Sequence, residues 1–145
     1  MSRVQLALSV ADLDRAVDFY SKLFATTPAK RRPGYANFAI GEPPLKLVLI
    51  EDHDRRPGTL DHLGVEVEST EEVAGARARL AEQGLPTAVE EHTACCYALQ
   101  DKVWVRAPGG ERWEIYTVLY DLDTPGCCTT GPEPEGSAAR ASSCR

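Results

Sequence analysis

Apolar residues alternate strictly with polar or small residues over residues 4–10, near the start of the chain. A period of two is typical of a half-buried β-strand. Asp12 then stands at a predicted helix N-cap, and apolar residues recur at helical spacing as far as Phe24. Two more strands are predicted at residues 35–40 and 45–50, with a turn rich in Gly and Pro between them. The first part of the chain therefore predicts one helix among several strands.

The second part of the chain repeats this order. Residues 62–67 alternate as residues 4–10 do, and Ser69 opens a capping box before a second predicted helix that ends near Gly84. Aligning the two strand-and-helix openings places Gln5 opposite His62. Strands are expected again around residues 87–91, 98–106 and 112–118. We interpret the chain as a duplication.

The duplication predicts an α+β fold of two βαβββ modules, at about residues 3–51 and 60–120. We expect the modules to form a curved mixed sheet, with helices outside and a metal cleft inside, within a domain of residues 1–121. Residues 122–145 lack aromatic residues and are rich in Pro, Gly, Ser and Thr, so they are predicted to be a disordered tail. The tail cysteines are Cys127, Cys128 and Cys144.

Each module also has a matching position in its last strand, because aligning the closing hairpins places Val48 opposite Glu114. Gln5, His62 and Glu114 all lie on the strand face opposite the apolar stripe, so we expect them to converge. An amide, an imidazole and a carboxylate, with valine in place of a fourth ligand, would leave open positions on a divalent metal. The set differs by one ligand from the two-histidine, one-carboxylate set of non-haem Fe(II) enzymes.

The same three residues have structural alternatives. Gln5 is also compatible with an ordinary polar strand position, and His62 with a core histidine hydrogen-bonded to backbone. Glu114 is harder to explain in this way, because a carboxylate between Trp113 and Ile115 requires a cation, a metal or a proton.

The adjacent cysteines Cys95 and Cys96 form a second candidate site. Neighbouring residues of a regular strand point to opposite faces, so two sulfurs that bind one atom require a loop at this point. A thiolate pair favours soft species such as trivalent arsenic, Cd(II) or Cu(I) over Mg or Ca. The alternatives are a vicinal disulfide or two buried cysteines that act as small apolar residues.

The composition narrows the class of partner. Acidic residues outnumber basic residues by 22 to 16, so we expect no nucleic-acid surface. No apolar run reaches the ~18 residues of a membrane span, and the first residues lack a signal-peptide pattern. We therefore expect a cytoplasmic protein with a small-molecule or metal partner.

Taken together, these features resemble the vicinal oxygen chelate superfamily, which includes glyoxalase I, extradiol dioxygenases and fosfomycin-resistance proteins. The resemblance covers about residues 3–120 and includes the closing segment 108–114. Within the superfamily, the chain most resembles the carbon-arsenic lyases and the cadmium-induced proteins. The segments that carry this closer resemblance are residues 4–8, 33–40, 45–49, 62–67 and 95–105.

The resemblance implies an Fe(II)-dependent dioxygenase that uses O2 to cleave the carbon–arsenic bond of methyl or aryl As(III) compounds and releases arsenite. The residues that match the family's metal ligands, and so its catalytic centre, are Gln5, His62 and Glu114. The residues that match its arsenic-binding pair are Cys95 and Cys96. Val48 stands where glyoxalase-like members carry a second carboxylate, which argues against four-ligand glyoxalase chemistry.

Two other functions stay open at this point. One is a binding protein that sequesters Cd(II) or arsenicals without catalysis, and the other is a glyoxalase-like metalloenzyme that needs no O2. Oxygen consumption coupled to arsenite release distinguishes the Fe(II)-dependent dioxygenase from both of these alternatives. The superfamily pairs its modules within or between chains, so we expect either a monomer or a homodimer.

Overall fold

The computed structural model describes residues 2–124. The segment predicted to be a tail, with its three cysteines, lies outside the described residues apart from residues 122–124. The chain divides into two compact units, Ser2–Val65 and a second unit that begins at Glu66. Within the described part, neither helix combines the length and the apolar character needed to cross a membrane.

The first unit combines one helix with a mixed sheet. Its elements are β1 (Arg3–Val10), α1 (Leu13–Leu23), β2 (Lys30–Arg32), β3 (Tyr35–Ile40), β4 (Leu45–Glu51) and β5 (Thr59–Glu66), of which the last residue belongs to the second unit. The strand order is β2-β3-β4-β1-β5. β1 runs parallel to β4, with Val4 opposite Leu45, whereas β3 is antiparallel to both β2 and β4.

One face of this sheet is apolar and packs against α1. Asp12 caps the helix by accepting a hydrogen bond from the Arg15 backbone N–H. Leu6 and Leu8 of β1 pack against the buried core. The buried core residues are Val10, Leu13, Val17, Ala36, Phe38, Ile40, Leu47 and Leu49. Because β1 alternates, its other face carries the buried polar residues Gln5 and Ser9.

The second unit consists of a helix and an antiparallel sheet. Its elements are α2 (Thr70–Glu82), β6 (Thr87–Cys95), β7 (Ala98–Arg106) and β8 (Arg112–Asp121), in the strand order β8-β7-β6. The predicted capping box is confirmed, because Ser69 accepts from the Glu72 N–H and Glu72 accepts from the Ser69 N–H. α2 packs against β7 and β8.

The α+β fold class is confirmed, and the predicted elements occur with changes at their ends. β2 was not predicted, because its three residues are all basic and show no apolar alternation. β6 is longer than predicted and extends to Cys95, since a bulge interrupts its alternation at residues 91 and 92. Residues 59–65 of β5 group with the first unit, although the sequence repeat assigns this strand to the second module. The module boundaries stay a prediction.

Candidate functional site

Gln5 lies on the polar face of β1 and is 4% exposed. The parallel register places Ala7 beside Val48 of β4, so Val48 belongs to the same sheet face as Gln5. Val48 is buried, and its side chain offers no ligand atom.

His62 of β5 is the residue that Gln5 contacts. The Nε2 atoms of the two side chains are 3.1 Å apart, and both side chains are buried. On its other side, His62 Nδ1 lies 2.7 Å from a carboxylate oxygen of Asp61. A carboxylate only accepts, so Nδ1 carries the proton and Nε2 presents its lone pair toward Gln5. The duplication thus predicted correctly that Gln5 and His62 meet.

Asp61 is held in place as well, because Arg55 Nη1 lies 3.0 Å from its other carboxylate oxygen. An imidazole that donates one ring N–H to a carboxylate is the usual arrangement of a metal-binding histidine, since the hydrogen bond fixes the tautomer and the ring orientation. Sequence reasoning did not identify Asp61. Its position directly before His62 was the available signal, but neighbours in a regular strand point to opposite faces, which argued against a contact.

Glu114 of β8 is the acidic residue of the second unit that sequence reasoning singled out. It is 3% exposed, and Lys102 Nζ lies 2.7 Å from its Oε2 atom. Lys102 is 1% exposed, and its ammonium also lies 5.2 Å from the ring centroid of Trp104 and 5.8 Å from that of Tyr116. Of the three partners that the sequence left open for Glu114, a cation, a metal or a proton, the structure shows a cation. Sequence reasoning did not identify Lys102 as that partner.

The strand register explains why these residues share a surface. Trp104 lies opposite Glu114 and Lys102 lies opposite Tyr116, and residues that pair directly point to the same face. Asp101 points the other way and accepts a hydrogen bond of 2.7 Å from Thr70 at the start of α2. The helix therefore covers one face of the sheet, and the opposite face carries the buried ion pair.

Cys95 and Cys96 lie where β6 turns into β7. Cys95 is the last residue of β6 and pairs with Ala98, so it lies on the same sheet face as Lys102 and Glu114. Cys96 and Tyr97 form a two-residue turn with φ of +49° and +66°. Positive φ at both positions is typical of the type I′ hairpin turn. The sequence predicts that both cysteines lie on a loop, whereas the structure places only Cys96 in the turn and keeps Cys95 as the last residue of β6.

The two sulfurs of this pair are 3.7 Å apart. This separation is too long for an S–S bond, so the alternative of a vicinal disulfide is excluded in this structure. Cys95 is nevertheless disulfide-bonded. Cys95 is buried and Cys96 is half-buried. Both sulfurs can therefore face one soft atom only after Cys95 has been reduced.

Asp101, which directly precedes Lys102 in β7, is also buried. Burial raises the pKa of its carboxyl group, but hydrogen bonds from the His92 backbone N–H and the Thr70 hydroxyl, together with the nearby His92 imidazole, outweigh it. The net effect holds the pKa of Asp101 below its ordinary value of 3.8. The carboxylate is therefore ionised and acts as a fixed acceptor at neutral pH.

Within residues 2–124, no three His, Cys, Asp or Glu side chains form a group that could hold a metal ion. The structure brings Gln5 to His62 and Cys95 to Cys96. The grouping of Gln5, His62 and Glu114 as one ligand set stays a prediction.

Comparisons with known proteins agree on the family of this chain. The family model of the Glyoxalase/Bleomycin resistance protein/Dioxygenase superfamily matches residues 3–115. A trivalent organoarsenical cleaving enzyme of Thermomonospora curvata is 60% identical over 147 residues, which cover 97% of this chain and 96% of that protein. A cadmium-induced protein of Mycobacterium tuberculosis is 59% identical over 145 residues, which cover 99% of this chain and 93% of that protein.

The solved structures show the same fold at lower sequence identity. An extradiol ring-cleaving dioxygenase from B. fuscum is similar with a TM-score of 0.59 and 20% identity. The match covers 83% of this chain and 34% of that one.

Proposed function

The chain belongs to the glyoxalase/bleomycin resistance protein/dioxygenase superfamily, and on this basis we propose that it is an Fe(II)-dependent dioxygenase that cleaves the carbon–arsenic bond of trivalent organoarsenicals. The products would be arsenite and an oxidised methyl or aryl fragment. The observation that carries the proposal is the turn that brings the sulfurs of Cys95 and Cys96 to 3.7 Å from each other. Trivalent arsenic is a soft centre that favours such a thiolate pair.

Gln5, His62 and Glu114 are the proposed metal ligands, and their environments fit this role. Asp61 fixes the proton of His62 on Nδ1, which leaves Nε2 as the donor atom. The Gln5 amide already faces that nitrogen and offers its oxygen after a half-turn about its terminal torsion. Glu114 supplies the single negative charge, and Lys102 holds one of its two oxygens. Nitrogen and oxygen donors of this kind suit Fe(II) or Mn(II).

A bound Fe(II) would supply the activation of O2 and the oxidation of the carbon–arsenic bond. The protein's own part begins with the cysteines, which bind arsenic through both sulfurs and so fix the direction of its remaining carbon substituent. Capture uses thiolates, so Cys95 must first leave its disulfide. The reaction is therefore expected to require a thiol reductant.

A second function is favoured by one specific observation. The chain is 59% identical to a cadmium-induced protein, and a pair of thiolates also binds Cd(II). In this alternative the protein sequesters the metal or the arsenical and releases no product. Catalysis and sequestration differ in their need for O2 and in whether arsenite appears.

The test is a single assay on the full chain. The reduced protein is loaded with Fe(II) without oxygen, a methylated As(III) compound is added, and air is then admitted while arsenite and O2 are measured. We expect arsenite release coupled to O2 uptake over many turnovers. Stoichiometric binding of the arsenical without either signal would support sequestration instead.

Two sets of variants separate the proposed roles. His62→Ala is expected to lose Fe(II) binding and keep arsenical binding, and His53→Ala, an exposed histidine, is its matched control. Cys95→Ser is expected to lose tight arsenical binding and keep Fe(II) binding. Full turnover by Cys95→Ser would show that capture by two sulfurs is not part of the reaction.

A further inference from the structure

β6 contains a bulge three residues before the cysteine pair. Up to Glu90, which lies opposite Lys102, the pairing of β6 with β7 follows one register. From Thr93, which lies opposite Gln100, it follows a register shifted by one residue. Two residues of β6, Glu91 and His92, therefore face the single residue Asp101. This is the two-against-one arrangement of a β-bulge.

The side chain of Asp101 holds this bulge. One carboxylate oxygen accepts a hydrogen bond of 2.7 Å from the His92 backbone N–H. The other oxygen accepts the Thr70 hydroxyl, also at 2.7 Å, and so ties the bulge to the first residue of α2. His92 has a φ of +49°, a left-handed conformation that a non-glycine residue adopts only when its surroundings stabilise it. Asp101 is 3% exposed, so water does not replace these contacts readily.

The bulge decides which residues form the turn. In the observed register Cys95 lies opposite Ala98, and only Cys96 and Tyr97 remain between the strands. If the register of Glu90 continued, Ala94 would lie opposite Ala98, and Cys95 would move out of the strand into a three-residue loop. The position of Cys95 on the face of Glu114, and with it the spacing of the two sulfurs, depends on the extra residue.

We propose that Asp101 is a positioning residue for the arsenical-binding pair, and that it acts by fixing the bulge that sets the register of Cys95. The inference rests on the proposed function, because it assigns the residue that prepares the same two sulfurs for capture. Asp101 contacts neither sulfur. Its effect passes through the backbone of residues 92–95.

The experiment measures the dissociation constant of phenylarsine oxide, a trivalent arsenical, with the reduced full-length protein. Asp101→Leu removes the acceptor, and we expect binding about 100-fold weaker, since loss of the second attachment point costs 10² or more in affinity. Asp101→Asn keeps an oxygen acceptor for the His92 N–H, so the bulge is retained and binding is expected within about twofold of wild type. Asp52→Leu removes a comparable carboxylate-to-backbone hydrogen bond, to Asp54, and is the control expected to bind normally.

Two further measurements keep the result interpretable. Mn(II) affinity should be unchanged in Asp101→Leu, whereas general unfolding would lower it too. If Asp101→Leu does not fold, Thr70→Val, which removes one anchor of the carboxylate, should weaken phenylarsine oxide binding in the same direction. Wild-type affinity in Asp101→Leu, or in Thr70→Val when the leucine variant is unfolded, overturns the inference. Failure of the wild-type protein to bind phenylarsine oxide through both cysteines would instead refute the proposed capture.

Discussion

Replacing Lys102 by methionine tests how much the buried ion pair of Lys102 and Glu114 contributes to stability. The substitution keeps an unbranched side chain, shorter by one heavy atom, and removes the charge that faces Glu114 at 2.7 Å. At an effective dielectric constant of about 20, two unit charges at this distance attract each other by about 6 kcal/mol. Removing both ions from water costs several kcal/mol each, so the intact pair contributes little net stability.

Removing only one partner of the pair destabilises the protein much more, because Glu114 then stays 97% buried without its cation. Loss of one partner of a buried pair destabilises a protein by about 3–5 kcal/mol. For a chain of this size that corresponds to a fall in Tm of about 6–20 °C. The double variant Lys102→Met, Glu114→Leu should recover most of the loss, since no unpaired charge is left inside.

Thermal unfolding followed by circular dichroism or calorimetry measures this effect in the metal-free protein. The control is Lys22→Met, which removes an ammonium 2.8 Å from Asp18 on the exposed side of α1 and should change Tm by only about 2 °C or less. Adding Mn(II) should raise the Tm of Lys102→Met more than that of wild type, because the metal would replace the missing positive charge beside Glu114. A Lys102→Met protein as stable as Lys22→Met would refute this account of the buried pair.

Three other changes follow from single contacts. Asp61→Leu should weaken Mn(II) binding by about 10- to 100-fold, because His62 loses the carboxylate that orients it. Titration calorimetry measures this change, and a normal Mn(II) affinity would contradict the role of Asp61. Ser69→Ala should lower the free energy of unfolding by about 1 kcal/mol in urea titrations, since the capping box with Glu72 is lost. The pKa of Asp101 is lowered in the folded protein, so its ionised form stabilises the fold above about pH 4. This contribution disappears as the pH falls further. The free energy of unfolding of Asp101→Asn should therefore decline less steeply with acid than that of the wild-type protein.

Much of the fold could be predicted because local and long-range patterns agreed. The alternation of β1, the N-cap at Asp12 and the capping box at Ser69 each have a direct physical cause in neighbouring residues, and the structure contains all three. The duplication added a long-range prediction, the meeting of Gln5 and His62, which the contact between their side chains confirms. Internal repetition is informative because equivalent positions in two copies occupy equivalent places in the sheet.

The residues that sequence reasoning missed depend on register and on side-chain rotation. Lys102 faces Glu114 only because β7 and β8 pair with Trp104 opposite Glu114, and nothing local to either residue specifies that register. Asp101 acts through a bulge, which breaks the period of two from which strand positions are inferred. Asp61 turns toward the ring of its neighbour, a choice of rotamer that no periodicity encodes.

β1 is synthesised well before both of its neighbours in the sheet, β4 and β5. Val4 pairs with Leu45, so at least 41 further residues must leave the exit tunnel before its hydrogen bonds can form. During synthesis the nascent chain thus displays an apolar strand with two unsatisfied edges, a state that invites pairing with other chains. Truncations that end before residue 45 should accumulate as insoluble material, whereas chains that include β5 can bury this strand.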